Sequence, residues 1–207
     1  MPLHRFAALL LFTVATPFLL FADIYVVDFE TFPNGTAIPD STSITAQFPG
    51  LTFTDTTVIN SGISLNEFEF PPHSGNNVAF DDGGPISIAF ATPVRSFGGY
   101  FTYAEPLTLA AFFSTTQVAS ASSGFSNNEA LSGDPGSSPN EFLSVVFPSG
   151  ISEVTITGDP LGGSFTLDDA TISTITPEPS SLIWLVTITF GGLLLIKATR
   201  HSRTLQP

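Results

Sequence analysis

The chain alternates between apolar and polar residues over most of its length, and only its two ends are continuously apolar. In the interior, Ile24-Tyr25-Val26-Val27-Asp28-Phe29-Glu30 predicts a first strand. Turn signals follow at Pro33-Asn34-Gly35 and Pro39-Asp40. Short strands are expected over Ile44 to Phe48 and Leu51 to Thr54, either side of Pro49-Gly50, with weaker ones over Thr57 to Asn60 and Ile63 to Leu65. Ile86-Ser87-Ile88-Ala89-Phe90 alternates strictly. Val94 to Tyr103 is aromatic-rich, and its Gly98-Gly99 pair predicts a bulge or a close backbone approach. Leu107 to Phe113 and Gln117 to Ser122 read as a hairpin across Ser114-Thr115-Thr116. Phe142 to Phe147, Val154 to Thr157 and Phe165 to Ile175 complete the set.

About ten short strands with little helical periodicity predict an all-β fold, an antiparallel β-sandwich or jelly roll, with a barrel as the alternative closure. Two long loops are expected, at Pro71 to Gly75 and Gly124 to Asn140. Gly133-Asp134-Pro135-Gly136 and Gly158-Asp159-Pro160 are turn chemistry: glycine supplies unusual dihedrals, aspartate bonds the backbone ahead, and proline fixes φ.

The ends follow a different pattern. Arg5 precedes an apolar run from Phe6 to Phe21, broken by Thr13, Thr16 and Pro17, and Ala22 closes it. A basic start, an apolar stretch and a small exit residue predict a signal peptide over residues 1–22, with a retained anchor as the alternative. Leu182 to Ile196 is the second run. Its fifteen residues make a helix of roughly 22 Å at ~1.5 Å per residue, short of the ~30 Å hydrocarbon core. With flanking residues it predicts a transmembrane helix over about 182–198, more suited to a transient signal than to a lasting anchor. Four of the five bases, Arg5, Lys197, Arg200 and Arg203, flank these runs and orient the interior away from the cytoplasm.

Pro177-Glu178-Pro179, the short apolar helix and the basic finish at Lys197, Arg200 and Arg203 resemble the PEP-CTERM sorting signal. The resemblance covers residues 177–207 and implies an exosortase, a membrane protease, as partner. It also implies a Gram-negative envelope or surface and association with exopolysaccharide. The interior resembles the recurring β-sandwich of the same proteins through Val27-Asp28-Phe29-Glu30, Gln47-Phe48-Pro49-Gly50-Leu51, Gly98-Gly99-Tyr100-Phe101 and Phe165-Thr166-Leu167-Asp168-Asp169.

Composition sharpens the picture of residues 23–176, a normal length for one domain. All but one of the 18 acids fall there, with Arg95 the one base, for a formal charge of −16. That excludes nucleic acid, whose phosphates need basic partners, and favours solubility, a divalent cation or a cationic partner. No cysteine is present, so there is neither a disulfide nor a thiolate metal site.

Asp28 and Glu30, two apart on the first strand, and Asp168 and Asp169, ending the last, form a candidate structural calcium site, because calcium takes six to eight oxygens. The alternative is solvated strand ends. Asp81-Asp82-Gly83-Gly84-Pro85 reads first as a turn and second as a loop metal site. His73 is the one histidine of the interior and has no nucleophile-elbow context, so a non-enzymatic protein is expected. Two alternatives stay open. A carbohydrate-binding, lectin-like module would use Tyr100, Tyr103, Asn127, Asn128 and Asn140. A polysaccharide-acting hydrolase would need two facing carboxylates in a deep cleft. Arg95 is expected to pair with a neighbouring acid.

Overall fold

A computed structural model describes residues 23–175. The signal segment, the Pro177-Glu178-Pro179 motif, the apolar tail helix and Lys197, Arg200 and Arg203 lie outside the described residues.

Within them the chain forms ten strands in chain order: β1 (Ile24–Val27), β2 (Thr42–Ser43), β3 (Leu51–Thr54), β4 (Thr56–Asn60), β5 (Asn77–Asp81), β6 (Ile86–Tyr103), β7 (Thr108–Phe113), β8 (Thr116–Ser122), β9 (Glu141–Thr157) and β10 (Phe165–Thr174). Every pairing is antiparallel, with hydrogen-bonded order β2-β4-β5-β10-β6-β9-β7-β8, β1 beside β10 and β3 beside β6.

The two longest strands turn this path into two layers. β6 has 18 residues and β9 has 17, too long for one small domain if straight. Phe90 and Phe97 sit seven positions apart on β6, a Cα separation of ~23 Å at ~3.3 Å per residue. Their ring centroids are only 6.3 Å apart, so β6 folds back between them. Register breaks between Ala89 and Ser96 on β6 mark the bend, and Pro148 and Gly150 (φ 115°) lie at the matching bend of β9. The first half of β6 therefore pairs with β3 and the second half of β9, continuing to β7 and β8. The second half of β6 pairs with β10 and the first half of β9 in the other layer, which also carries β1, β5, β4 and β2.

One core fills the space between the layers. Val27, Phe97, Phe101, Leu143, Leu167 and Ile172 come from one side and Phe53, Ile88, Leu109, Val154 and Ile156 from the other. Phe29, just beyond β1, meets Phe48 and Phe53 edge-on at 6.4 and 6.3 Å.

The structure differs from the strand expectations at several points. Ile44 to Phe48 is a loop after the two-residue β2, and Ile63 to Leu65 contributes only a bridge between Ser61 and Leu65. The two strands expected over 142–147 and 154–157 are one bent strand, because the bend keeps ladder pairing on both sides. The register break tied to Gly98-Gly99 sits on the neighbouring strand: β10 carries one extra residue between Asp168, opposite Tyr100, and Thr171, opposite Gly98. Gly99 makes the room, since a Cβ there would come within 2.4 Å of the Leu167 side chain.

Candidate functional site

The bulge in β10 decides where the acids go. In a regular strand Asp168 and Asp169 would face opposite sides. Asp169 instead adopts φ 47°, and Ala170 takes the core position. The backbone is held by an Asp169 N–H donating to Asp168 Oδ1 at 2.7 Å. The expectation that the two acids end the last strand is corrected: they sit in mid-strand, where the flanking partner changes from β5 to β1.

The loop after Pro71-Pro72 enters that gap. Ser74 N–H donates to Asp168 Oδ2 at 2.8 Å, Ser74 Oγ–H donates to Asp169 Oδ1 at 2.9 Å, and His73 Nδ1 lies 2.7 Å from Asp169 Oδ2. Beside them, Glu30 Oε1 accepts the N–H groups of Asn76 and Asn77, both at 2.7 Å. Gly75 (φ 55°) is required here, because a Cβ would fall 2.2 Å from the Glu30 carboxylate. Asp28 and Glu30 are not on a strand: β1 stops at Val27, and Asp28 Oδ1 accepts the Glu30 N–H in a local turn while Phe29 (φ 60°) drops into the core.

The first and last strands are indeed neighbours, and three of the four expected acids, Glu30, Asp168 and Asp169, gather around one loop. Among the described residues, however, no three acids or histidines come together as a metal-holding set. Glu30, Asp168 and Asp169 instead each accept hydrogen bonds from residues 73–77. Asp168 is 1% exposed. Burial, reinforced by the Asp169 charge and opposed by the Ser74 N–H, pushes its carboxyl up to about 7.

Aromatic rings lie on the same outer face. Tyr100 pairs with Asp168 on one side and Phe142 on the other, so all three side chains share the face. The His73 ring stacks on Tyr100 at 3.4 Å between centroids and 8° between planes, and Phe142 lies 5.1 Å from Tyr100 at 57°. Phe142 is 49% exposed. Its ring occupies the space above Gly98, where a Cβ would come within 2.8 Å of the ring tip. Two registers continue the face: Val26–Thr171–Gly98–Ser144 and Ile24–Ser173–Ser96–Val146. Both are uncharged, and Ile24, Val26 and Val146 are exposed.

The remaining candidates divide clearly. Tyr103 is buried, its hydroxyl hydrogen-bonded to Glu141; burial first, then that contact, raises it to about 12. Asn128 is buried too, accepting from Tyr103 N–H and donating to Phe101 O and Ser138 O. Asn127 caps its own turn through the Glu129 N–H, and Asn140 donates to Pro71 O. Tyr103, Asn128 and Asn140 pin the 123–140 loop to the sheet or to the neighbouring loop, while Asn127 bonds only within it. Of the expected sugar contacts only Tyr100 is on the aromatic face. Phe142 was not anticipated, although strict alternation in Phe142-Leu143-Ser144-Val145 requires either Phe142 or Leu143 to face outward.

Asp81 is likewise structural. It is fully buried and accepts from Ser164 N–H, Ser164 Oγ–H and Phe165 N–H at 3.0 Å, and burial raises its carboxyl. Asp82 accepts the Thr57 hydroxyl. Arg95 is exposed and makes no ion pair among the described residues.

A hydrolytic triad is not assembled, because Ser74 bonds the Asp169 carboxylate rather than the His73 ring. A groove of ≈ 420 Å³ beside Leu107, Gly124, Phe125 and Asp134 and one of ≈ 260 Å³ beside Tyr25, Asp28 and Phe32 are not lined by Asp168 or Asp169.

The class defined by these features is an all-β, two-layer domain with an aromatic patch on one sheet face. No protein-family model matches the sequence, and no curated protein does. Among solved structures, the chain is similar to the K2 cleaved adhesin domain of Lys-gingipain, with 15% identity, 72% of this chain and 99% of that one covered, and TM-score 0.44. It is also similar to a family 29 carbohydrate-binding module (11% identity, 79% and 99% covered, TM-score 0.38). A third likeness is to CBM35 from Paenibacillus barcinonensis (16% identity, 72% and 97% covered, TM-score 0.35). These likenesses carry no conclusion about a ligand of this chain.

Proposed function

We propose that this chain is an exported, non-catalytic surface protein whose β domain binds glycan on the Tyr100–Phe142 face. The observation that carries the reading is the half-exposed Phe142 ring held over Gly98 beside Tyr100, on a sheet face whose adjoining registers carry small and apolar residues. A pyranose ring has an apolar C–H face that packs on such a ring and a hydroxyl rim. Ser96, Ser144, Thr171 and Ser173 of the adjoining registers supply hydrogen-bonding groups for that rim. The hydrolase alternative has less support, since the adjacent carboxylates are taken up by the 73–77 loop and Asp168 is buried.

Pro177-Glu178-Pro179, the apolar run and Lys197, Arg200 and Arg203 support sorting by an exosortase and display with exopolysaccharide at the envelope. The glycan reading is tested on a glycan array with the wild-type chain and the Phe142→Ala and Tyr100→Ala variants. Retention on at least one polysaccharide, lost in Phe142→Ala while the melting temperature holds, is expected. Retention indifferent to Phe142→Ala, or none at all, sinks the reading. Sorting is tested separately by replacing Pro177-Glu178-Pro179 with alanines: surface display unchanged in a host with exosortase would remove it.

A further inference from the structure

One end of the sandwich differs from the rest of the domain in charge and in exposure. It gathers the bends of β6 and β9, the β7–β8 turn, the Pro49-Gly50 turn and both ends of the described chain. Those two chain ends are tied together, since the Thr174 N–H donates to Asp23 O at 3.0 Å. Asp23 and Arg95 are the charged residues of this end, and they cancel, so the formal charge of −16 lies on the remainder of residues 23–176. Glu153, the next acid along β9, accepts the Ser87 hydroxyl at 2.6 Å. Arg95 occupies the register break of β6 between Val94 and Ser96, is exposed, and makes no ion pair among the described residues. Exposed apolar side chains lie beside it. Val146 pairs with Ser96 and, through Ser173, shares a register with Ile24; they are 55% and 69% exposed. Pro93, Ile175 and Phe113 close over Gly150, where a Cβ would come within 2.9, 3.2 and 3.8 Å of them, and Ile175 and Phe113 are exposed. An apolar patch beside a single cation suits a phospholipid surface, with apolar side chains at the acyl boundary and the guanidinium on a phosphate.

The sequence places a long apolar run close by. Ile175 is the last described residue, and the apolar run Leu182 to Ile196 begins seven positions later. Fully extended, that connection reaches at most roughly 24 Å. With the run in a bilayer, this end of the domain stays beside the surface. Charge then orients it, because the acidic remainder is repelled by anionic headgroups and the neutral end is not. We infer that this end docks on the bilayer that receives Leu182 to Ile196, with Ile24, Phe113, Val146 and Ile175 at the surface and Arg95 on a lipid phosphate. The inference rests on the reading of that run as a membrane segment and not on the glycan reading. It occupies the Ile24–Val146 register and leaves Thr171 and Ser144 beside the aromatic rings. Tyr100 lies four residues further along β6 than Ser96, ~13 Å at ~3.3 Å per residue, so end-on docking keeps the Tyr100–Phe142 face above the contact.

The chain has no cysteine and one tryptophan, Trp184 in the apolar run, so the tail and the domain can be read in one sample. Val146→Cys, Phe113→Cys and Leu161→Cys chains are each labelled with a polarity-sensitive fluorophore. Leu161 is exposed in the β9–β10 connection, at the opposite end of the sandwich. The full chains are reconstituted in phosphatidylcholine vesicles with and without nitroxide-labelled lipid. Nitroxide lipid should quench Trp184 and the Val146→Cys and Phe113→Cys labels, whose emission shifts to the blue on leaving detergent, and should spare the Leu161→Cys label. Adding Arg95→Glu to the Val146→Cys chain should remove the label quenching while Trp184 stays quenched, and Arg95→Lys should retain it; melting temperatures report folding. Equal quenching at Val146 and Leu161, or quenching at Val146 that survives Arg95→Glu, would show that the tether alone brings the domain to the surface and would overturn the inference. A blue-shifted Val146→Cys label that nitroxide lipid does not quench would show the patch covered by protein, the tail or a second copy, and would overturn it as well. An unquenched Trp184 would overturn both the membrane reading of the run and the inference.

Discussion

Asp168 should make the stability of this domain fall as pH rises from about 4 to about 7. Its carboxyl is raised to about 7 in the folded chain, first by burial and then by the neighbouring Asp169 charge. In the unfolded chain it titrates near ~3.9. Between those values the folded state holds a proton that the unfolded state has released, so unfolding is opposed at low pH and the advantage disappears by pH 8. The difference of about three units corresponds to about 4 kcal/mol. General repulsion among the other acids acts in the same direction, so the effect must be read as a difference. Asp168→Asn removes the titration while keeping the shape. An amide has one accepting oxygen where the carboxylate has two, so either the Ser74 or the Asp169 N–H loses its acceptor, at about 1–3 kcal/mol. Asp168→Asn is therefore expected to be less stable than the parent at pH 4 and as stable or more stable at pH 8. Urea unfolding of residues 23–175, followed by far-ultraviolet circular dichroism at both pH values, measures this. Stability curves that run parallel from pH 4 to 8 would refute the assignment of a buried, proton-holding carboxyl to this position.

Asn128→Ala strips partners from the Tyr103 N–H and the Phe101 and Ser138 carbonyls at a buried site. A loss of about 3 kcal/mol is expected, against almost none for Asn127→Ala; equal losses in urea unfolding would count against the clip. Gly99→Ala sets a methyl 2.4 Å from Leu167 and should cost about 1–3 kcal/mol as an overpacked core; a melting temperature unchanged from the parent would mean that the bulge opens freely. Calcium should raise the melting temperature no more than magnesium does, because residues 73–77 already bond to Glu30, Asp168 and Asp169. A calcium-specific, chelator-reversible rise would show those acids regrouping around an ion.

The alternation of apolar and polar residues determined the all-β class and most strand positions, because a strand records its two faces at a period of two. The Gly158-Asp159-Pro160 turn was equally local, since Asp159 accepts the Leu161 N–H just ahead of it, whereas Asp134 reaches back across its loop to the Ser126 and Asn127 N–H groups. The approach of Glu30, Asp168 and Asp169 to one loop was half legible, since an antiparallel sandwich often brings its ends together. What those acids do there was not. A single inserted residue in β10 turns Asp169 away from the core, and the partners that occupy it, His73 and Ser74, come from nearly a hundred residues away. The bends in β6 and β9 were also hidden, because a strand that crosses between layers keeps its alternation while changing neighbours. Tyr100 and Tyr103 look alike in sequence, yet one lies on the outer face and the other in the core. Period-two parity separates them, but which parity faces the core is set by the opposing layer, and only the assembled sandwich supplies it.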